Sequence, residues 1–252
     1  MNYKLIHHEG ELQKFIDFLP ELTPNEGYFI ILIARKKWYP ESGIPSARKL
    51  KRETVLSKDK IIATIRQWEI TDGFYTAGEL PIHQMNLGVY IGFNPKNQHN
   101  ACFELINQCL AAIKSNSQNI NVKAMASDVI QGSNGTKNFI DIDVDIKEGE
   151  NYLDIVDFIK SVVNESHLTF IKTNGGFHCL IRLPKTEKMP TRTGADMHEV
   201  IKVINEFSPH GNNWYQLIKN HSFKSELNIM SNDLIPIVGC NQGKSIPYFL
   251  NS

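Results

Sequence analysis

Apolar and polar residues alternate most clearly in the second half of the chain, where the pattern predicts a compact set of elements. Residues 138–145 alternate at every second position, which is typical of a strand with one buried face. Residues 152–163 repeat apolar side chains at the spacing of a helix. Residues 167–173 and 177–183 are predicted as strands, joined by a turn at residues 174–176 that contains two glycines.

The remaining elements of this half complete the order. A last strand is predicted at either residues 226–230 or residues 234–238. Before it, a helical stripe is formed by Met197, Val200, Ile201, Ile204 and Phe207. The resulting order, β-α-β-β-α-β, is that of the ferredoxin-like fold, which RNA-recognition-motif (RRM) domains share. We therefore expect an α+β protein with an RRM-like core over residues 126–252.

The first half is predicted to form an N-terminal α/β module over residues 1–125, packed against that core in one continuous domain. A short helix is predicted at residues 12–19, before Pro20, and a buried strand at residues 28–34. A second strand is predicted at residues 88–93, where Asn94-Pro95 ends it, and an amphipathic helix at residues 101–114.

A basic segment lies within this module between residues 35 and 66. It holds ten lysines and arginines against three acids, an excess of seven positive charges, and a loop is predicted at residues 40–45. The whole chain of 252 residues carries 27 basic and 27 acidic residues, so its net charge is zero. This balance excludes a uniformly basic nucleic-acid coat, while the local excess favours contact with phosphate groups.

The composition predicts a globular intracellular protein. The hydrophobic content of 41% is ordinary for a folded domain. No apolar run approaches the length that a membrane span needs, and the N-terminus lacks a secretory signal pattern, so we expect no membrane association and a cytoplasmic location. The four cysteines are scattered without a paired motif, which favours reduced thiols over a zinc site.

Three aspartates on one predicted strand are the first candidates for chemistry. Asp141, Asp143 and Asp145 alternate with apolar residues, so they share one face at spacings of about 6.5–7 Å. Aspartate is a poor strand former, and three in alternation favour a site for Mg²⁺ or Mn²⁺, which prefer carboxylate oxygens. The alternative is a solvated strand face on which the aspartates have no ligand.

A histidine on the returning strand of the hairpin is the second candidate. His178, Leu180 and Arg182 share one face of the strand at residues 177–183. In the predicted order this strand and the aspartate strand both lie near the middle of the sheet, so His178 is expected to approach the aspartates. The alternative is a histidine with a purely structural role.

These segments together resemble the archaeo-eukaryotic primase superfamily, also called primase-polymerases. Residues 139–143, with the sequence Phe-Ile-Asp-Ile-Asp, are similar to its first motif, and Gly176-Phe177-His178 is similar to its second. Asp233 is the nearest candidate for the acid of the third motif, with Glu226 as a competing acid. In the first half, residues 32–39 and 89–96 are similar to two strands of bacterial members, although Lys96 stands where those have arginine.

The resemblance implies template-directed nucleotidyl transfer with two divalent ions, Mg²⁺ or Mn²⁺. It implies that Asp141 and Asp143 hold both ions, that Asp233 completes the first site, with Asp145 as a possible substitute, and that His178 contacts the incoming triphosphate. Nucleotide or nucleic-acid contacts are expected from Arg35, Lys37, Lys96, Gly176, Arg182 and Lys244. The implied partners are nucleoside triphosphates, single-stranded DNA or a primer-template, and a separate helicase or replication protein.

Two other functions remain open from the sequence. One is a non-catalytic single-stranded nucleic-acid-binding protein that keeps a primase-like fold. The other is a metal-dependent nuclease or replication initiator, which needs a His-hydrophobic-His pair and a nucleophilic tyrosine. Position 180, two residues after His178, is leucine, so that histidine pair is not formed there.

Overall fold

The structure, a computed structural model, describes residues 1–45, 47–115, 120–133, 135–184, 197–206, 208–230 and 234–250. The helices in these residues are α1 Glu9–Phe18, α2 Lys60–Arg66, α3 Gln98–Lys114, α4 Val122–Gly132, α5 Tyr152–Val162, α6 Met197–Asn205 and α7 Trp214–Lys219. The strands are β1 Glu26–Ala34, β2 Arg48–Val55, β3 Thr76–Ala77, β4 Leu80–Pro81, β5 Leu87–Gly92, β6 Lys96–Asn97, β7 Phe139–Asp145, β8 Leu168–Lys172, β9 Gly176–Arg182, β10 Glu226–Met230, β11 Leu234–Pro236 and β12 Tyr248–Phe249.

The strands form two larger antiparallel sheets and a small hairpin of β3 and β4. The first sheet has the order β11-β5-β1-β2, with β6 paired to β1, and the second has the order β10-β7-β9-β8-β12. Helices and antiparallel sheets therefore occur in one chain, and the predicted α+β class is confirmed.

The second sheet follows the chain order β7-α5-β8-β9-α6-α7-β10, so the predicted β-α-β-β-α-β order is present with one additional helix. One face of this sheet packs on the helices in a core that includes Ile142, Ile159 and Trp214. The apolar residues of β7 point to this side because side chains alternate along a strand. The opposite face of the sheet is thereby left to the aspartates.

The opposite face also packs on the first sheet, through apolar side chains. Phe139, Ile171 and Leu180 from this face join the core that contains Tyr28 and Ile30 of β1. On the same face Asp141 lies opposite Leu180, and His178 lies opposite Ile171. The polar part of the second sheet thus lies next to the junction with the first sheet.

Residues 226–230 and 234–238 were predicted as alternatives for one last strand, but both form strands, and in different sheets. β10 pairs with β7, whereas β11 pairs with β5 in the first sheet. Ile235, Ile237 and Val238 are fully buried in the larger core. The C-terminal part of the predicted 126–252 module therefore also contributes to the sheet of the N-terminal half, and the division at residue 125 stays a prediction.

Two elements within the basic segment were not predicted from the sequence. β2 is an edge strand of the first sheet, and its residues from Arg48 to Lys51 are exposed or half-buried. Charged residues are common on edge strands because they discourage pairing with other chains. In β2 they replace the alternation of apolar and polar residues by which a strand is recognised in the sequence. α2 follows it with Ile61 and Ile65 buried.

No helix among the described residues is long and apolar enough to cross a membrane. All four cysteines are free thiols: Cys179 and Cys240 are buried, Cys109 is half-buried and Cys102 is exposed.

Candidate functional site

The aspartates of β7 share one face of the second sheet, as the alternation predicted. Asp141 lies opposite Leu180 of β9, and Asp143 lies opposite His178. Their exposure increases along the strand, because Asp141 is only 1% exposed, Asp143 is half-buried and Asp145 is exposed. The three carboxylates are therefore increasingly accessible to solvent from Asp141 to Asp145.

His178 approaches both inner carboxylates. Its Nδ1 atom lies 2.8 Å from Oδ2 of Asp141 and 3.8 Å from Oδ1 of Asp143. A carboxylate accepts hydrogen bonds only, so this nitrogen donates to Asp141. The histidine ring is buried, which strengthens its electrostatic interaction with the acids. The sequence predicted this approach, and the structure confirms it.

Burial and nearby charges act in opposite directions on the pKa values of His178 and Asp143. Burial lowers the pKa of His178, but the charges of Asp141 and Asp143 and the hydrogen bond to Asp141 outweigh it, so the pKa is raised and the cationic ring is favoured. Burial raises the pKa of Asp143, and the positive charges of His178, Lys37 and Arg35 only partly offset this effect. Arg35 and Lys37 are therefore within electrostatic range of the Asp143 carboxylate.

Gly176 allows the two central strands to approach each other. A Cβ atom at this position would lie 1.7 Å from the carbonyl oxygen of Val144, so only glycine fits. The residue faces Asp145 in the register of β7 and β9. Gly176 thus sets the distance between the strands that carry the aspartates and His178, and its predicted contact with a nucleotide stays a prediction.

Arg35 lies over an aromatic platform made by Trp38 and Tyr90. Its guanidinium carbon is 5.4 Å from the centroid of each ring, and the two rings are parallel within 5°. Guanidinium groups are favourably placed over aromatic faces. The platform therefore orients Arg35 at the edge of the site. Trp38 itself is buried, so it serves in packing.

Two glycines make room for this platform. A Cβ atom on Gly88 would lie 2.5 Å from the ring of Trp38, and one on Gly243 would lie 2.8 Å from the Trp38 side chain. Gly243 also has a φ angle of +67°, which other residues rarely adopt. The indole therefore packs directly on backbone of two separate segments.

Gln242 connects the platform to the histidine hairpin. Its Nε2 atom donates to the hydroxyl of Tyr90 at 3.0 Å, and its Oε1 atom accepts from the backbone amide of Asn174 at 2.9 Å. Asn174 lies in the turn between β8 and β9. Sequence reasoning did not single out Tyr90 or Gln242, because nothing in the local pattern indicates that distant segments meet here.

Asn94 fastens the first sheet to the start of the aspartate strand. Its side-chain Oδ1 accepts from the backbone amides of Asn138 and Phe139, and its Nδ2 donates to the carbonyl of Phe139. The sequence marked Asn94-Pro95 only as the end of a strand. The structure shows that this end positions β7.

The other predicted contact residues lie at different places. Lys244 lies over the ring of Tyr39, and Arg182 lies over Phe18 and Phe139. Lys96 is only 5% exposed, and it pairs with Gly27 between β6 and β1. The predicted phosphate contacts of these residues remain predictions.

The third acidic position of the resemblance, Asp233, lies outside the described residues. The competing Glu226 faces Asp145 across β10 and β7, and its carboxylate is 3.3 Å from the amine of Lys147. Asn228, which sequence reasoning missed, faces Asp143 in the same register. In the described part of the chain, no group of three or more His, Cys, Asp or Glu side chains is arranged to hold a metal ion.

Comparison of the chain with models of known protein families, with curated proteins and with solved structures finds no match.

Proposed function

We propose that this chain is a template-directed nucleotidyltransferase, a DNA primase or polymerase that uses divalent metal ions. The observation that carries the proposal is the convergence of Asp141, Asp143 and His178 on one sheet face, with Arg35 and Lys37 within electrostatic range of Asp143. The strand order β10-β7-β9-β8 supports an RRM-like core, because that order and the β-α-β-β-α-β connectivity are those of the ferredoxin-like fold.

The two inner carboxylates fit a divalent cation. Oxygens of both Asp141 and Asp143 point at the same imidazole nitrogen, so they converge on one cationic group already. Carboxylate oxygens are the preferred ligands of Mg²⁺ and Mn²⁺. Asp141 and Asp143 would hold the metal, with Asp233 or Asp145 as a further ligand. When bound, two such ions align the attacking and leaving oxygens of a phosphoryl transfer.

The cationic side chains around the acids suit a nucleoside triphosphate. Arg35 is held over Trp38 and Tyr90, and Lys37 is exposed next to it. Both would neutralise the charge of the phosphates, and a protonated His178 would donate to a phosphate oxygen. In the reaction the 3′-hydroxyl oxygen forms a bond to the α-phosphorus. The bond between the α-phosphorus and the oxygen that bridges to the β-phosphate breaks, so pyrophosphate leaves. The hydroxyl proton passes to solvent.

The exposed edge of the first sheet suits a nucleic-acid strand. Arg52 of β2 lies 3.5 Å from Asp128 of α4, and Lys49 donates to Gln131 of the same helix. Both basic side chains are therefore engaged in contacts with α4. Arg48 and Lys51 are exposed on the same edge strand. Single-stranded DNA or a primer-template would bind there through its phosphates, with affinity that falls as salt rises. A separate helicase or replication protein would supply the unwound template.

The test is nucleotide incorporation on single-stranded DNA and on a primer-template, with Mn²⁺ or Mg²⁺. The variants Asp141→Asn and Asp143→Asn are expected to lower incorporation at least about 100-fold, because loss of a metal-holding carboxylate removes charge stabilisation from the transition state. Asp157→Asn is the matched control, since Asp157 is exposed on α5, which packs on the opposite face of the sheet. If the wild type incorporates nucleotides and both variants do so at the same rate, the proposal is refuted.

A second candidate is a single-stranded nucleic-acid-binding protein without catalysis. It is favoured by one observation, namely that the described residues contain no group of three acidic or histidine ligands for a metal ion. It predicts salt-dependent binding of single strands with no metal-dependent binding of nucleotides. Titration of a fluorescent nucleotide with and without Mn²⁺ separates the two functions. A nuclease or replication initiator is less well supported, since Leu180 is fully buried where the second histidine is needed.

A further inference from the structure

The hydroxyl of Tyr90 differs from those of the other buried tyrosines in its hydrogen bonding. The hydroxyls of Tyr3, Tyr28 and Tyr75 each donate to a backbone carbonyl, at 2.7, 2.6 and 3.0 Å. The Tyr90 hydroxyl instead accepts from Nε2 of Gln242 at 3.0 Å, and no group among the described residues accepts its proton. A buried tyrosine hydroxyl normally has a partner for its proton. The described part of the protein therefore leaves one buried donor of Tyr90 unused.

Gln242 fixes the hydrogen-bonding role of this hydroxyl. Its Oε1 atom accepts from the backbone amide of Asn174 at 2.9 Å, and a backbone amide can only donate. The side-chain amide of Gln242 is therefore held with its nitrogen towards Tyr90, and that nitrogen can only donate as well. The hydroxyl oxygen of Tyr90 accepts on this side, so its proton points away from Gln242.

The unused donor lies next to the candidate site. The guanidinium carbon of Arg35 is 5.4 Å from the centroid of the Tyr90 ring, and in the described chain no acid forms an ion pair with Arg35. Burial and the charge of Asp143 raise the pKa of Tyr90, and they outweigh the opposite effects of Arg35 and of the bond from Gln242. The hydroxyl therefore keeps its proton at neutral pH. A guanidinium beside a hydroxyl donor suits an anionic oxygen.

We propose that Tyr90 is a substrate-binding residue whose hydroxyl donates to a phosphate oxygen of a polyphosphate chain held by Arg35. Gln242 is the positioning residue that keeps this donor available. The inference rests on the proposed nucleotidyl transfer and adds two residues to its nucleotide site. The polyphosphate of a nucleotide is the ligand because Tyr90 lies on β5 within electrostatic range of Asp143. The exposed basic residues that suit a nucleic-acid strand lie on β2, which β1 separates from β5.

Calorimetric titration with tripolyphosphate in the presence of Mg²⁺ tests the donor, because it measures binding without turnover. Tyr90→Phe removes only the hydroxyl and keeps the ring beneath Arg35. We expect it to weaken binding about tenfold, as the loss of a hydrogen bond to a charged group does. Equal affinities of the wild type and Tyr90→Phe, or no binding by the wild type, overturn the proposal.

Tyr3→Phe is the matched control for this titration. It also removes a buried hydroxyl, but the Tyr3 hydroxyl both donates to the carbonyl of Ile82 and accepts from the amide of Gly73. Both of its roles are therefore used inside the protein, and we expect wild-type affinity for tripolyphosphate. Circular dichroism of each variant checks that the fold is kept. A loss of affinity in Tyr3→Phe equal to that in Tyr90→Phe overturns the proposal.

Gln242→Glu tests the positioning role by reversing the bond to Tyr90. A carboxylate only accepts, so it takes the proton of the Tyr90 hydroxyl while its other oxygen still accepts from the amide of Asn174. The added negative charge also repels polyphosphate, so the same exchange is made in Tyr90→Phe, where only this repulsion remains. We expect Gln242→Glu to weaken binding about fivefold more in the wild type than in Tyr90→Phe. Equal effects in the two backgrounds overturn the role of Gln242.

Two further measurements separate this inference from its alternatives. Binding of tripolyphosphate that depends on Tyr90, without nucleotide incorporation by the wild type, supports the polyphosphate site and refutes nucleotidyl transfer. Incorporation by the wild type together with unchanged tripolyphosphate binding in Tyr90→Phe does the reverse. A single-stranded oligonucleotide is the second probe, and Tyr90→Phe is expected to bind it like the wild type. Weaker binding of the oligonucleotide in place of tripolyphosphate overturns the proposal.

Discussion

The Nδ1 atom of His178 lies 2.8 Å from a carboxylate oxygen of Asp141, with both side chains buried in the face between the two sheets. This ion pair joins the two central strands of the second sheet. The same nitrogen lies 3.8 Å from a carboxylate oxygen of Asp143, on which the charges of Arg35 and Lys37 also act. One histidine therefore both joins the two strands and lies next to both inner carboxylates of the candidate site.

The first prediction concerns this ion pair. His178→Ala leaves the buried carboxylate of Asp141 without its cationic neighbour, and we expect it to lower the free energy of unfolding by about 3 kcal/mol. The measurement is urea denaturation at neutral pH. The double variant Asp141→Asn/His178→Ala removes the charge as well as its partner, so it should lose less than the sum of the two single variants. Strictly additive losses would show that the two side chains do not interact.

The second prediction concerns Asn94, which connects β5 to β7. Asn94→Ala removes two accepted hydrogen bonds and one donated bond at the backbone of Asn138 and Phe139, and we expect a loss of about 3 kcal/mol in unfolding free energy. Hydrogen exchange should also show faster exchange of the Phe139 amide. Asn138→Ala is the control, because the Asn138 side chain donates to the carbonyl of Thr136 in an exposed hydrogen bond. Equal losses in the two variants would contradict this role of Asn94.

The third prediction concerns the pH dependence of stability at Glu26. Burial raises the pKa of this carboxyl, but hydrogen bonds from Thr136 and Thr23 outweigh it, so the pKa lies below its ordinary value of 4.5. A depressed pKa means that the carboxylate stabilises the fold above the pKa of the unfolded chain, and that this contribution is lost as the pH falls through the folded pKa.

Glu26→Gln is therefore expected to lower stability at pH 7 and to have a smaller effect as the pH falls below 4.5. The measurement is the unfolding free energy of both proteins across this pH range. A difference between them that is constant down to acid pH would argue against the prediction. Glu21→Gln is the control, because the Glu21 side chain is exposed and its carboxylate pairs with the amine of Lys58.

The fourth prediction concerns the space beside Trp38. Gly243→Ala and Gly78→Ala both place an alanine at a positive φ angle, of +67° and +70°, but only the Cβ at Gly243 meets the Trp38 side chain. We expect Gly78→Ala to cost about 1 kcal/mol from backbone strain, and Gly243→Ala to cost roughly 1–3 kcal/mol more from overpacking. Thermal denaturation measures both. Tryptophan fluorescence should change only in Gly243→Ala, and similar behaviour of the two variants would contradict the packing argument.

The elements of the second sheet follow closely from the sequence. The alternation in residues 138–145 predicted β7, and the helical spacing in residues 152–163 predicted α5. These predictions succeed because a strand or helix with one buried face repeats its apolar residues at the period of its own geometry. The same rule placed Asp141 and Asp143 together on the polar face.

Other parts of the structure had no local pattern to reveal them. β2 was missed because its edge position allows basic side chains along most of its length. The exposure of apolar side chains of α3 such as Phe103 and Ile113 was also not anticipated, since an amphipathic pattern indicates that a helix has an apolar side but not whether anything covers it. Sequence periodicity reports the faces of an element, whereas burial depends on its neighbours.

The sequence by itself determined which side chains share a strand face, since the two-residue repeat of a strand is a local property of the backbone. Only the tertiary structure decided which faces meet. It brought Tyr90 from a distant segment to Arg35 and Trp38, it added Gln242 from a third segment through its bond to Tyr90, and it used Asn94 to join the start of β7 to the first sheet. The physical reason is that these contacts depend on the packing of two sheets, which couples residues far apart in the chain and leaves no periodic trace in it.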